Sequence, residues 1–200
     1  MKTIESNYTN EIIIKNSRFV TCIFKINDSD ISKYLDLVKN IYPKATHYCY
    51  GYIYNEFKHF SDDGEPSGTA GRPIMNVLEK RNLNKVLVIV IRYFGGIKLG
   101  AGGLVRAYTK SVTNALDQIK LISLEKGYLL KLTFSYDLEK QINYLLKNIE
   151  ISMKEYNEKI TYIFECDIET FELIKNYQPL ILKETYIEKN SWERVFLSVY

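Results

Sequence analysis

An α+β chain folded as two domains, residues 1–124 and 125–200, is what three features of this sequence imply together. The hydrophobic pattern alternates between strand and helix periods along the whole length. Eight of the ten glycines crowd between Gly64 and Gly103, in two clusters around one strongly apolar strand. The formal charge changes sign along the chain. Residues 1–120 hold 17 Lys+Arg against 11 Asp+Glu, giving +6, and residues 121–200 hold 10 against 13, giving −3.

Taken in order, Glu11 to Ile26 alternates as two strands around a turn at Asn16-Ser17. Asp28 or Ser29 caps a helix with Ile31, Tyr34, Leu35 and Val38 on one stripe, ended by Pro43. Ala45 to Tyr54 is an aromatic-rich strand. The first glycine cluster is a loop running into a helix with Pro73 in its first turn and Ile74, Val77 and Leu78 facing inward. Lys85 to Tyr93 is nearly continuous in β-branched residues, as expected of a central strand buried on both faces. Gly102 to Ile119 forms the longest helix, with Leu104, Tyr108, Val112 and Ala115 on one side and Arg106, Lys110, Thr113 and Asp117 on the other. A domain boundary falls between Leu121 and Gly127. Beyond it come a strand at Tyr128 to Ser135, a helix capped by Asp137, strands at Ile151 to Tyr156 and Ile160 to Cys166, a short helix capped by Asp167, and a last strand from Leu180 to Glu188. This β-α-β-β-α-β order is the ferredoxin-like unit. Trp192 and Phe196 in the tail have no assigned place.

With 46% hydrophobic residues the chain can fill a core, which excludes a disordered or fibrous protein. The longest apolar run, Val86 to Ile91, is far too short to span a bilayer, and the first seven residues lack a signal-peptide core. A soluble, cytoplasmic protein is expected, without a membrane partner. Cys22, Cys49 and Cys166 are odd in number and widely spaced, so reduced, buried thiols fit better than disulfides or a zinc knuckle.

The second glycine cluster, Arg92 to Arg106, ends a strand at Gly95 and Gly96, loops through Lys98 and Gly100, and enters a helix at Gly102 and Gly103. Unpaired backbone N–H groups at such a helix start attract anions, and Lys98, Arg92 and Arg106 add full charges. Arg72, beside the first cluster, extends this candidate anion or nucleic-acid site. The glycine spacing matches neither standard nucleotide fingerprint, so a tight turn with close packing is the competing explanation. Asp62, Asp63 and Glu65 can hold a divalent cation or accept backbone N–H groups within the turn, and the turn is favoured. His47 shares a strand face with Cys49, but no third partner for a dyad is apparent. No catalytic residue, metal or cofactor is assigned. Tyr48, Tyr50, Tyr52 and Tyr54 line one side of a strand, a row able to stack bases but more commonly part of a core or sheet surface.

The stretch from Ala45-Thr46-His47 through Ser61 to Pro73 and on to Arg92 to Tyr108, together with Lys15-Asn16-Ser17-Arg18-Phe19, closely resembles the IMPACT/YigZ family. The resemblance implies a first domain like domain 2 of ribosomal protein S5, and a second domain like the ferredoxin-like domains III and V of elongation factor G. Many bacterial members carry two consecutive histidines where this chain has His47-Tyr48, which weakens any paired-histidine metal site. The family brings no catalytic residues.

The expected function is therefore a translation-associated regulatory protein. It would contact RNA phosphates or the ribosome through the basic, glycine-rich face of the first domain, with a protein partner in translational control also possible. The alternative is a phosphate-handling enzyme on the same loops, with Asp62, Asp63 or Glu65 as metal ligands and Lys98 on the transferred group.

Overall fold

A computed structural model describes residues 1–188, which form two sheets and five α-helices. Trp192 and Phe196 lie outside the described residues. The chain divides into two compact units, Met1–Ser123 and Leu124–Tyr200.

The first unit is built on a five-stranded antiparallel sheet in the order β2-β3-β6-β4-β5, with β2 at Tyr8–Ile14, β3 at Ser17–Lys25, β4 at His47–Tyr54, β5 at Phe57–Ser61 and β6 at Val86–Tyr93. Strand β6 occupies the centre, and its β-branched run serves two cores. Val86, Val88 and Val90 face the helices α2 (Gly71–Lys80) and α3 (Ala101–Leu116), while Leu87, Ile89 and Ile91 face α1 (Ser32–Ile41). Period-two alternation puts Arg92 next in the valine row, at the strand end on the α2/α3 face. Its cross-strand neighbours are Phe19 on β3 and His47 on β4. The four tyrosines of β4 pack against the opposite core, on the α1 side.

Strand β1 (Lys2–Ile4) pairs with Leu121–Ser123, the first residues of β7 (Leu121–Phe134). From Leu124 onward β7 belongs to the second unit, where the strand order is β10-β7-β9-β8, with β8 at Ile151–Tyr156, β9 at Ile160–Asp167 and β10 at Leu180–Glu188. The two helices α4 (Glu139–Leu145) and α5 (Ile168–Ile174) contribute Ile142 and Ile174 to a core with Leu130, Leu132, Phe134, Tyr162 and Phe164.

Several boundaries differ from the sequence expectations for identifiable reasons. The hairpin turn is Lys15-Asn16, both at positive φ, as the twist of a two-residue hairpin prefers, and Ser17 already belongs to β3. Helix α1 starts at Ser32 because Asp28 and Asp30 spend their carboxylates on N–H groups two residues ahead instead of capping it. Asp137 lies inside a short 3₁₀ turn, Tyr136–Leu138, ahead of α4. Asp167 does cap α5, accepting the Thr170 N–H at 2.6 Å. The segment Leu121 to Gly127 is continuous strand, and the chain passes from one compact unit to the other within it, between Ser123 and Leu124. Gly127 is there because a Cβ would stand 2.4 Å from the Cys166 carbonyl oxygen. Strands β1 and β5 leave no trace in the periodicity, one being three residues long and the other an exposed edge without an apolar run.

No helix among the described residues is long and apolar enough to cross a membrane. Since Ile119 and Leu121 pack on the first core and Leu121–Ser123 pair with β1, a fragment ending at Ser123 should keep the first unit folded. A fragment ending at Gln118 should melt at least about 4 °C lower in circular dichroism.

Candidate functional site

Arg92 and Glu65 meet at 2.6 Å, with their side chains 6% and 3% exposed. The Arg92 guanidinium lies between the rings of Phe19 and Phe94, and its Nη2 reaches Ser17 Oγ at 3.4 Å. Its Nε is buried and has no hydrogen-bond partner. Glu65 Oε1 also accepts the Tyr108 hydroxyl at 2.9 Å, and Oε2 stands 3.8 Å from His47 Nε2. The His47 ring is held from its other side, where Nδ1 donates to the Asp63 carbonyl oxygen at 2.8 Å. A buried carboxylate with an arginine and a tyrosine as donors is satisfied, which removes most of the desolvation penalty of the charge.

The first glycine cluster folds around Asp62. Its carboxylate accepts the N–H groups of Gly68, Ala70 and Gly71 at 2.8 to 3.0 Å, and Asp63 accepts the Tyr48 N–H at 2.6 Å. Positive φ at Gly64 and Gly68 lets the loop curl this tightly. Asp62 thus accepts N–H groups within the loop, Asp63 accepts one from β4, and Glu65 turns instead to the side chains of Arg92 and Tyr108.

Cys49 sits at the floor of this network. Its thiol donates to the Asp62 carbonyl at 3.0 Å, and its sulfur is 3.2 Å from the Tyr108 hydroxyl oxygen. Burial pushes the thiol up to about 12, and burial, then the neighbouring Cys49 and Glu65, pushes the Tyr108 hydroxyl up as well. Cys49 is thus a protonated packing residue and no nucleophile at neutral pH. His59 is stacked on Tyr50, 5.8 Å between ring centroids.

In the second cluster the glycines divide by role. Gly95 is a packing necessity, since a Cβ would fall 2.1 Å from the backbone of Asn16. Gly96 and Gly100 have φ of +83° and +71°. Gly100 precedes the first residue of α3 and offers no side-chain cap, so the N–H groups of Ala101, Gly102 and Gly103 lack intrahelical acceptors. A pocket of about 270 Å³ opens at this helix start. His47, Glu65, Arg92 and Lys98 supply its polar lining, and Pro66, Phe94, Leu99 and Leu104 its apolar walls. Arg106, one turn along α3, brings Nη1 to 3.6 Å from where a Gly102 Cβ would stand.

Of the candidate site residues, His47, Glu65, Arg92, Lys98 and Gly100 therefore line one pocket, and Gly102, Gly103 and Arg106 belong to the helix turn above it. Arg72 is elsewhere, on α2 over the Phe60 ring. Arg92, expected as an exposed anion contact, has its charge balanced by Glu65. Tyr108 and Ser17 were missed as site residues. A tyrosine in the middle of an apolar helix stripe was the available signal for the first, because a buried hydroxyl requires a partner.

Replacing Glu65 by glutamine leaves Arg92 buried without a counter-charge and should cost about 3 kcal/mol or more in urea unfolding. Because Cys49 and Tyr108 are raised in the folded state, the unfolded chain loses its protons first. Stability should hold below the ordinary thiol value of 9.0 and fall as pH rises towards about 12. The decline measured by pH-dependent unfolding should be shallower in Cys49→Ala.

The profile of the Impact N-terminal domain matches residues 15–116, which include the whole pocket. The chain is 36% identical to the IMPACT family member YvyE of Bacillus subtilis over 94% of its own length and 93% of that protein's. It is 34% identical to an IMPACT family member of Haemophilus influenzae over 80% and 81% of the two chains. Identity to the IMPACT family member YigZ of Escherichia coli is 38%, over 53% and 55% of the two. A solved structure, described as that of a hypothetical protein, superposes with a TM-score of 0.72 at 27% identity, covering 91% of this chain and 97% of the other. With the Impact N-terminal domain matched and YvyE aligned almost end to end, this chain belongs to the IMPACT family.

Proposed function

We propose that the protein is a cytoplasmic, translation-associated regulator that holds phosphate groups of RNA, free or on the ribosome, at the start of α3. The observation that supports this most is the pocket itself. The uncapped start of α3 at Gly100 and Ala101 lines one opening together with Lys98 and Arg92, and Arg106 stands one turn along. Lys98 and Arg106 make no ion pair among the described residues, so both remain available to an anion.

The domain assignment follows the same reasoning. Residues 1–124 are taken as an S5 domain 2-like module carrying the binding face. The order β10-β7-β9-β8 in residues 125–200, which is 4-1-3-2 counted within that unit, suits a ferredoxin-like module. Its −3 charge opposes phosphate binding, leaving it for a protein partner. The enzyme alternative is less favoured, because Asp62 accepts three backbone N–H groups, Asp63 accepts the Tyr48 N–H and Glu65 is paired with Arg92.

The double substitution Lys98→Ala, Arg106→Ala removes exposed charges only and should leave the fold intact. In a filter-binding titration it should weaken single-stranded RNA binding and flatten the dependence of log K on log salt by about 0.7 for each phosphate left unneutralised. An unchanged affinity and slope would refute phosphate binding at this helix.

A further inference from the structure

With an RNA strand at the start of α3, as the reading above has it, the apolar pocket beside that helix lies within reach of the bases. We propose that the pocket takes one unstacked base of the strand and that this base is guanine.

The lining carries two hydrogen-bond acceptors with no donor between them. Glu65 Oε1 is used twice, by Arg92 and by Tyr108, whereas Oε2 accepts no hydrogen bond among the described residues, although the side chain is only 3% exposed. His47 donates from Nδ1 to the Asp63 carbonyl oxygen, so its neutral ring leaves Nε2 as a bare acceptor. These two atoms stand 3.8 Å apart, beyond hydrogen-bond distance. A buried carboxylate oxygen without a donor is costly, and here it borders a cavity that can admit one. The walls decide what carries that donor. Pro66, Leu99 and Leu104 are apolar, and Phe94, 46% exposed, adds an aromatic ring, so the group that fits is flat and mostly apolar. A volume of about 270 Å³ suits one ring system, and unstacked RNA bases are read in this way, against an aromatic side chain and along one edge. Of the four RNA bases, guanine alone sets two N–H donors side by side on its Watson–Crick edge. Its N1 and N2 lie about 2.3 Å apart across one carbon, so two slightly divergent hydrogen bonds of about 2.9 Å reach acceptors 3.8 Å apart. Adenine and cytosine put a ring acceptor next to the amino group, and uracil flanks its N–H with carbonyl oxygens. Each would set an acceptor against Glu65 or His47. An arginine side chain offers a similar fork of donors, but its charge would meet Lys98 in the lining and Arg92 beside Glu65, whereas guanine is neutral.

The test is a fluorescence-anisotropy titration of the full chain with a short oligouridylate, left plain or carrying one guanosine, inosine, adenosine or cytidine. It is run at about pH 8, where an ordinary histidine is neutral. The guanosine strand should bind about tenfold or more tighter than the plain, adenosine and cytidine strands. Inosine keeps N1–H and lacks the amino group, so its strand should fall between them, a comparison that needs no protein variant. His47→Ala removes one acceptor from a partly exposed position and should bring the guanosine strand close to the inosine strand. Free guanosine should displace the guanosine strand, and N-acetylarginine amide at the same concentration should not. Equal affinity for all the strands would overturn the guanine assignment and leave phosphate binding standing. A guanosine preference that is unchanged by loss of the amino group or of His47 would place the recognition elsewhere and also overturn it. Displacement by the arginine amide as effective as that by guanosine would overturn it in favour of an arginine from a protein partner. Absence of binding to any strand would remove the underlying reading together with this one.

Discussion

The pairing of Arg92 with Glu65 is the contact on which the rest of the site depends. Arg92 comes from the end of the central strand, Glu65 from the first glycine loop, Tyr108 from the middle of α3, and Ser17 from the start of β3. One buried carboxylate thus ties a strand, a loop and a helix together, and the guanidinium extends the tie to a further strand. A buried pair of this kind contributes little net stability over a well-packed apolar substitute, because both ions were removed from water. Its effect here is positional: both charges are buried and find their counter-charge only at this point, so the loop and the helix are held in one register.

The glycine clusters act in two physically different ways. Gly71 and Gly95 are needed because another backbone passes where a Cβ would be, 2.7 Å away at Ser61 and 2.1 Å away at Asn16. Gly96 and Gly100 have open space around the missing Cβ and are needed for their left-handed φ. The first kind brings the hairpin and the loops close enough to form the walls, and the second kind turns the chain so that α3 begins at the opening.

Much of the fold was legible from periodicity. The doubly buried β6, the apolar faces of α2 and α3 and the alternation in β9 each follow from side-chain spacing, and Asp167 capped its helix because no nearer backbone group competed for it. The failures have local causes. Asp28 and Asp30 found turn N–H groups before a helix could claim them, and β1 and β5 are too short or too exposed to leave an apolar pattern. The site was half legible. Glycine and cation density pointed to the start of α3, but nothing along the chain reveals that Glu65 crosses to Arg92, because that pairing depends on how the loop closes over the sheet. An arginine at the end of an apolar alternation, facing the buried side, was the one visible hint that it required an internal counter-ion.

The pairing of β1 with the start of β7 also sets an order of events during synthesis. Ile4 finds its strand partner in Leu121, so the first residues made wait for nearly the last residues of their own unit before their backbone groups are satisfied. Closing so long a loop is slow compared with forming α3 or the β2-β3 hairpin, whose contacts are local. On a translating ribosome the first unit therefore becomes complete only when β7 has emerged, and because β7 is one uninterrupted strand, the residues that finish the first unit run directly into the opening strand of the second.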